Sequence, residues 1–198
     1  QVEQSKEAFQ RLINLDPQDP EAHHHLALSL QASEDFSHAE ESFKHALQLN
    51  KDYTQARINL GTMYYKLSRY TEAENCFKGI LSRDPRNIDA KINLGATLLG
   101  LGDSNSAEQQ FAEVLFQQPD NILALNNLAN VRSDAGRYEE AEASYKNFLQ
   151  IHPRHEVVHY NLANVLKKQG KFEEAERSYL KCLSLAPDFS NAHNNLGM

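Results

Sequence analysis

Asparagine recurs in this chain every 34 residues, which is the separation between Asn59 and Asn93. The members of this asparagine row are Asn59, Asn93, Asn127, Asn161 and Asn195. The carboxamide of asparagine donates hydrogen bonds through its NH2 group and accepts them through its oxygen. A peptide unit also presents one donor and one acceptor, so a row of carboxamides could bind the backbone of an extended polypeptide. Such binding would depend little on the side chains of the bound segment.

Histidine and cysteine are the other residues that could do chemistry. His23, His24 and His25 are consecutive, so on a helix they point in different directions and cannot converge on one metal ion. The two cysteines, Cys76 and Cys182, have no neighbouring base at the repeat interval and cannot form a disulfide framework. We therefore expect no metal, no cofactor and no catalytic residue. The cysteine usage favours a reducing compartment such as the cytoplasm.

The charge pattern limits the class of partner. The formal net charge is -7, and acidic and basic residues are interleaved. Binding to nucleic acid needs clustered lysine and arginine, which this pattern does not provide. No apolar run approaches the length of a membrane span, and we expect no signal peptide. We therefore expect neither nucleic-acid binding nor membrane insertion.

Other residue types repeat with the same interval as the asparagine row. Small residues occupy Ala27, Gly61, Gly95, Ala129, Ala163 and Gly197, each directly after a leucine. Alanine occupies Ala39, Ala73, Ala107, Ala141 and Ala175, and an aromatic residue follows each of them after four positions. Proline occupies Pro17, Pro85, Pro119, Pro153 and Pro187, and Lys51 fills the remaining proline position. A fixed interval of this length predicts an array of helical repeats.

Each interval contains two amphipathic segments, which predicts an all-α fold of stacked helical hairpins. Gly102, Gly136 and Gly170 occupy the turn between the two helices, where a left-handed backbone is easiest without a side chain. Glu34 and Ser68 replace glycine at this turn in the first two hairpins, so we expect strain there. Gly100 precedes such a turn, and interior glycine weakens a helix, so we expect mobility near residues 100–106.

The interval divides the chain into repeats within a single solenoid fragment that spans residues 1–198. We predict a half repeat at 2–19, full repeats at 20–53, 54–87, 88–121, 122–155 and 156–189, and a partial repeat at 190–198. In the half repeat, Phe9 and Leu12 should point inward. The incomplete repeats and the initial Gln1 lead us to expect a piece of a longer protein. Its cut ends would expose apolar faces and could associate head to tail.

The order of leucine, small residue, alanine, aromatic and proline resembles the tetratricopeptide repeat across essentially the whole chain. The tryptophan of that pattern is missing, and its positions hold His23, Arg57, Lys91, Leu125, His159 and His193. The resemblance implies a right-handed α-solenoid whose first helices line a concave groove, with the asparagine row facing it. The row is similar to that of O-linked N-acetylglucosamine transferase, in which asparagines hold substrate peptide. His25 departs from this pattern.

The same register places further residues beside the asparagine row. Additional carboxamides are expected at Asn126, Asn130 and Asn164, and apolar or cationic neighbours at Ile58, Ile92, Tyr65, Tyr160 and Lys167. These neighbours would determine which segments bind. Two alternatives stay open at this point: the asparagines could be ordinary consensus residues, and the two tyrosines could be packing residues.

We predict a protein-interaction module without enzymatic activity, which binds an extended peptide or partner segment in the asparagine-lined groove. The first alternative is a substrate-recruiting arm of a larger protein glycosyltransferase whose catalytic domain lies outside this sequence. The second is a structural scaffold that associates with itself.

Overall fold

The computed structural model describes residues 2–197, apart from the side chains of residues 2–5 and 7. Met198, the last residue of the predicted partial repeat, lies outside this range. The described residues form helices and no strand, which confirms the predicted all-α class. The helices are α1 (Val2–Leu15), α2 (Pro20–Ala32), α3 (Phe36–Leu49), α4 (Thr54–Lys66), α5 (Tyr70–Leu81), α6 (Ile88–Gly100), α7 (Ser104–Gln117), α8 (Ile122–Asp134), α9 (Tyr138–Ile151), α10 (Glu156–Lys168), α11 (Phe172–Leu185) and α12 (Ser190–Leu196).

The chain divides into two compact units, residues 1–103 and residues 104–198. The first unit contains α1 to α6, and the second contains α7 to α12. In both units, the first residues of successive even-numbered helices are separated by the same interval as the members of the asparagine row. We call these helices first helices. The odd-numbered helices from α3 onward are second helices. Within each unit, sequential helices pack on each other, as a repeat array requires.

The alanine and aromatic series form the core of the hairpins. Phe43, Phe77 and Phe111 are completely buried, and Tyr145 and Tyr179 are nearly so. At Gly61 a small residue is needed for close helix contact. A Cβ atom there would lie only 2.8 Å from the ring of Phe77, so a larger side chain would require this ring to move. At Gly197, the last member of the small-residue series, no atom lies within 4 Å of such a Cβ atom.

The turns within the hairpins adopt the left-handed backbone conformation. Gly102, Gly136 and Gly170 have φ angles of 82°, 75° and 74°. Glu34 and Ser68 adopt the same conformation, with φ angles of 61° and 58°. This confirms the predicted strain, because a Cβ atom makes the conformation unfavourable.

The expectation for Leu12 is wrong, and the glycine at position 100 has a different physical explanation. The side chain of Leu12 does not point inward but is 48% exposed, and Phe9 provides the contact to α2 by stacking on His25. Gly100 is the last residue of α6 rather than an interior residue, and a Cβ atom there would lie 2.6 Å from the ring of Tyr70. Close packing therefore explains this glycine. The mobility expected near residues 100–106 stays a prediction.

Ion pairs link successive hairpins, each joining a glutamate on one second helix to the cation that directly precedes the next second helix. The pairs are Glu40 with Arg69, Glu108 with Arg137, and Glu142 with Lys171. Burial alone would raise the pKa of Glu40, but hydrogen bonds from Arg69, Lys44 and Tyr64 outweigh it and lower the pKa to about 2. The carboxylate is therefore charged at neutral pH and holds the two hairpins together.

The part of the chain that the structure describes contains no helix with both the length and the apolar character of a transmembrane segment.

Candidate functional site

The first unit contains two members of the asparagine row, Asn59 on α4 and Asn93 on α6. The Nδ2 of Asn59 lies 2.8 Å from Nε2 of His24 in the preceding hairpin, and its oxygen accepts a hydrogen bond from Gln55. An amide nitrogen only donates, so Nε2 of His24 must accept, and Nδ1 carries the hydrogen. Nδ1 in turn lies 2.9 Å from the hydroxyl of Tyr53. Burial, followed by the nearby His25, lowers the pKa of His24, which is consistent with this neutral form.

Asn93 makes a different contact. Its Nδ2 donates to the backbone oxygen of Asp89, one turn earlier on the same helix, at 2.9 Å. The carboxamide of Asn93 is therefore held by its own helix and not by the preceding hairpin.

The second unit contains Asn127, Asn161 and Asn195. The Nδ2 of Asn161 donates to the side-chain oxygen of Asn126 at 2.8 Å, and that oxygen also accepts from the hydroxyl of Tyr145. Burial raises the pKa of Tyr145, so its hydroxyl keeps the proton that it donates. Asn126 therefore anchors a member of the row in the next hairpin.

Asn195 is anchored by a similar group of side chains. Its Nδ2 lies 3.0 Å from the side-chain oxygen of Asn164, 3.2 Å from the hydroxyl of Tyr179 and 3.4 Å from the hydroxyl of Tyr160. Tyr179 also donates to Asn164 at 2.6 Å. Asn164 thus supports Asn195 in the way that Asn126 supports Asn161.

Asn127 makes no side-chain hydrogen bond with any residue that the structure describes, although it is half-buried. Within the first unit, the register explains why Asn59 is anchored by the preceding hairpin and Asn93 is not. The residue 35 positions before each anchored asparagine is polar, namely His24, Asn126 or Tyr160. The corresponding residue for Asn93 is Ile58, which offers no acceptor.

Apart from that of Asn59, which accepts from Gln55, the side-chain oxygens of the row have no partner in the described chain. Within residues 2–197, the buried side-chain polar atoms that lack a partner belong to Gln31, His155 and Gln169. The half-buried Asn93, Asn161 and Asn195 have no partner for their oxygens, so these atoms reach solvent. The side-chain oxygen and nitrogen of Asn127 also reach solvent. The nitrogen of the carboxamide is thus fixed in several members of the row while the oxygen stays open.

The other predicted site residues differ in exposure. His25, Asn130, Tyr65 and Lys167 are exposed, and Ile58 and Ile92 are half-buried. The ring of Tyr65 packs against that of Tyr70 at 5.6 Å. Tyr160 is half-buried and packs against Tyr179 and Phe189, at ring distances of 5.9 Å and 5.1 Å. Both tyrosines therefore take part in packing.

Sequence reasoning missed the supporting residues His24, Tyr53, Tyr145 and Tyr179. A signal was available for His24 alone, which is a polar residue 35 positions before Asn59. The described residues contain no group of three or more histidine, cysteine, aspartate or glutamate side chains placed to hold a metal ion. His23 and His45 form a pair, with their ring nitrogens 3.0 Å apart.

Comparison with known families decides the nature of the fold. Three family models, each described as tetratricopeptide repeat, match residues 24–88, 66–130 and 120–188. The chain is an array of tetratricopeptide repeats. The predicted fold class, an α-solenoid of such hairpins, is confirmed. Tetratricopeptide repeats are in general protein-interaction modules. No curated protein matches the chain in sequence.

Several solved structures share the fold. YrrB, described as a TPR protein with an unusual peptide-binding site, is 21% identical with a TM-score of 0.68, over 98% of this chain and 100% of its own. PilW, described as a type IV pilus biogenesis factor, is 21% identical with a TM-score of 0.79, over 98% of this chain and 90% of its own. PilF of Pseudomonas aeruginosa is 20% identical with a TM-score of 0.75, over 99% of this chain and 89% of its own. At these identities the similarity shows the fold alone.

Proposed function

We propose that this repeat array is a non-catalytic module that binds an extended segment of a partner protein through the asparagine row. The observation that carries the proposal is the open side-chain oxygen of each member of the asparagine row in the second unit. Asn127, Asn161 and Asn195 lie on α8, α10 and α12 and present acceptors at a constant interval. Backbone N–H groups of a bound peptide would donate to these oxygens.

The fixed nitrogens support this proposal. Asn126 holds Asn161, and Asn164 holds Asn195, so neither carboxamide needs to be ordered when a ligand arrives. A contact that is ordered beforehand loses less conformational entropy on binding. Packed helices are about 8–10 Å apart, and an extended chain rises about 3.3 Å per residue. Successive asparagines would therefore contact about every third residue of the peptide.

The peptide-binding site of YrrB adds support by analogy, because that protein shares the fold over its whole length. The neighbouring residues would modulate affinity. Lys167 is exposed and could pair with an acidic side chain, and the half-buried Ile58 and Ile92 could contact apolar ones. The transferase-arm and self-association alternatives stay predictions.

Replacement of Asn127 by alanine provides the sharpest test. A peptide selected from a displayed random library is titrated against the wild-type protein and the Asn127→Ala variant. Because the carboxamide has no partner within the described chain, its removal should leave the fold intact and act on binding alone. The loss of one neutral hydrogen bond should weaken binding by about threefold to tenfold.

Asn147→Ala is the matched control, since Asn147 is an exposed asparagine on the second helix α9. It should bind the selected peptide as tightly as the wild type. A combined Asn93→Ala, Asn127→Ala and Asn161→Ala variant should lose more affinity than Asn127→Ala does. Undiminished binding by this combined variant, with an unchanged helical spectrum, would exclude the row from the binding site.

A further inference from the structure

A second candidate site lies in the first unit, away from the asparagine row. A cavity of about 530 Å³ opens between α3, α4 and α5. Leu47, Leu60, Tyr64 and Cys76 provide an apolar part of its wall. Burial raises the pKa of the Cys76 thiol to about 11, so the sulfur is uncharged at neutral pH. The volume lies within the range of about 300–1,000 Å³ that is usual for small-molecule sites.

Two cations at this cavity have no carboxylate partner among the described residues. Lys44 and Glu72 also line it, but they pair with Glu40 and Arg69. Lys51 and Arg57 line it too, and neither of them forms an ion pair within the described chain. The cavity therefore combines an apolar wall with two uncompensated positive charges, in a chain whose net charge is -7.

Lys51 and Arg57 are also departures from the repeat pattern. Lys51 occupies the position that is proline in the other repeats. At the position of Arg57, His23, His159 and His193 each contact the backbone oxygen of that proline through Nε2. Arg57 makes the equivalent contact, donating one N–H to the Lys51 oxygen at 2.9 Å. The contact with this backbone oxygen needs only one N–H donor. The guanidinium group of Arg57 has further N–H donors that could bind a ligand.

The second unit provides an internal comparison at the equivalent location. There a cavity of only about 220 Å³ is lined by Pro119 and Leu125, which stand at the positions of Lys51 and Arg57. Ser144 lines it at the position of Cys76. The larger cavity and the two cations Lys51 and Arg57 therefore occur together, at the position where lysine replaces the usual proline.

We infer that the cavity between α3, α4 and α5 binds a small amphipathic carboxylate, with its apolar chain against Leu60, Tyr64 and Cys76 and its carboxylate between Lys51 and Arg57. The guanidinium group matches the two oxygens of a carboxylate, and the lysine ammonium adds a second charge. The apolar chain leaves water on binding, which provides the non-specific part of the affinity. This site is independent of the asparagine row.

Octanoate is the probe, and octanol is its neutral counterpart. Octanoate should shift the backbone amide resonances of Leu60, Tyr64 and Cys76, and its affinity should fall with added salt. The double variant Lys51→Pro and Arg57→His installs the residues that other repeats carry, so the hairpin contact through the carbonyl is kept. It should bind octanoate about tenfold more weakly, because charge-assisted hydrogen bonds are lost. Octanol should bind the wild type and the double variant equally.

Two further variants complete the test. Lys51→Gln changes an exposed side chain and should weaken octanoate binding even if the double variant melts at a lower temperature. Asn127→Ala should bind octanoate like the wild type, which separates this site from the proposed peptide site. Equal binding of octanoate and octanol by the wild type, or octanoate binding unaffected by either charge variant, would overturn the inference. So would the absence of shifts at Leu60, Tyr64 and Cys76.

Discussion

The side-chain amide of Asn161 donates to the side-chain oxygen of Asn126, in the preceding hairpin, at a distance of 2.8 Å. Asn127 stands one repeat before Asn161 in the same row and has no such partner in the described chain. Two asparagines with equivalent positions therefore differ in their contacts. Asn161 connects two hairpins, and Asn127 forms no side-chain hydrogen bond within the described chain.

Replacement of Asn161 by alanine should lower the free energy of unfolding by about 1 kcal/mol, since the half-buried Asn126 loses a hydrogen-bond donor. Asn127→Ala is the control and should change it by less than about 0.5 kcal/mol. Urea unfolding followed by circular dichroism measures both values. Equal values for the two variants would contradict the distinction drawn between them.

Lowering the pH should weaken the ion pair between Glu40 and Arg69, which links the first two full repeats. The pKa of Glu40 is about 2 in the folded protein and returns to its ordinary value near 4.5 on unfolding. The folded state therefore binds fewer protons in this range, so the stabilisation is complete above pH 4.5 and is lost as the pH falls towards 2. The free energy of unfolding should decrease by about 2 kcal/mol across this window through this group.

Urea unfolding at a series of pH values tests this expectation. Glu40→Gln should be less stable than the wild type at neutral pH, and the difference should shrink towards pH 2. Glu41→Gln changes the neighbouring exposed residue and should keep the pH dependence of the wild type. A constant difference between wild type and Glu40→Gln at all pH values would show that the carboxylate is not responsible.

Two glycines should respond to alanine with opposite signs. Gly100→Ala should destabilise the protein by about 1–3 kcal/mol, because the new methyl group would overlap the ring of Tyr70. Gly79 lies inside α5, where the nearest atom to a new Cβ is the flexible end of Arg57 at 3.4 Å. Gly79→Ala should stabilise the protein by about 0.5–1 kcal/mol through helix propensity. Thermal unfolding of both variants measures the sign; a stabilised Gly100→Ala would disprove the contact with Tyr70.

The turn at Ser68 should become more stable with glycine. Its φ angle of 58° is unfavourable for a residue with a Cβ atom, so Ser68→Gly should gain about 0.5–1 kcal/mol. Gly136→Ser is the reverse exchange at the equivalent turn and should lose a similar amount. The midpoint of urea unfolding is the measurement. A loss of stability in Ser68→Gly would mean that its side chain contributes more than the strain removes.

Much of the fold could be predicted from the repeat interval, because each position has the same neighbours in every hairpin. The starts of the first helices, the left-handed turns and the close approach at Gly61 all follow from this regularity. The interval could not predict which hydrogen bonds the asparagines form. Asn161 and Asn93 have the same register, but the position that could supply an acceptor holds Asn126 in one case and Ile58 in the other. Leu12 was misplaced because an apolar periodicity identifies a helix face without showing which of its residues contact the next helix.

The exchange of proline for Lys51 illustrates what a modular architecture permits. Each hairpin depends on its immediate neighbours. The residues of one hairpin can therefore change while the other hairpins keep the fold. Pro119 is the counterpart of Lys51, and Leu125 is the counterpart of Arg57. Transplanting both cations there, with a cysteine in place of Ser144, would place the same three residue types at the smaller cavity of the second unit. If the inferred carboxylate site depends on these residues, substitution could move it from one hairpin to another, and one chain could contain several copies.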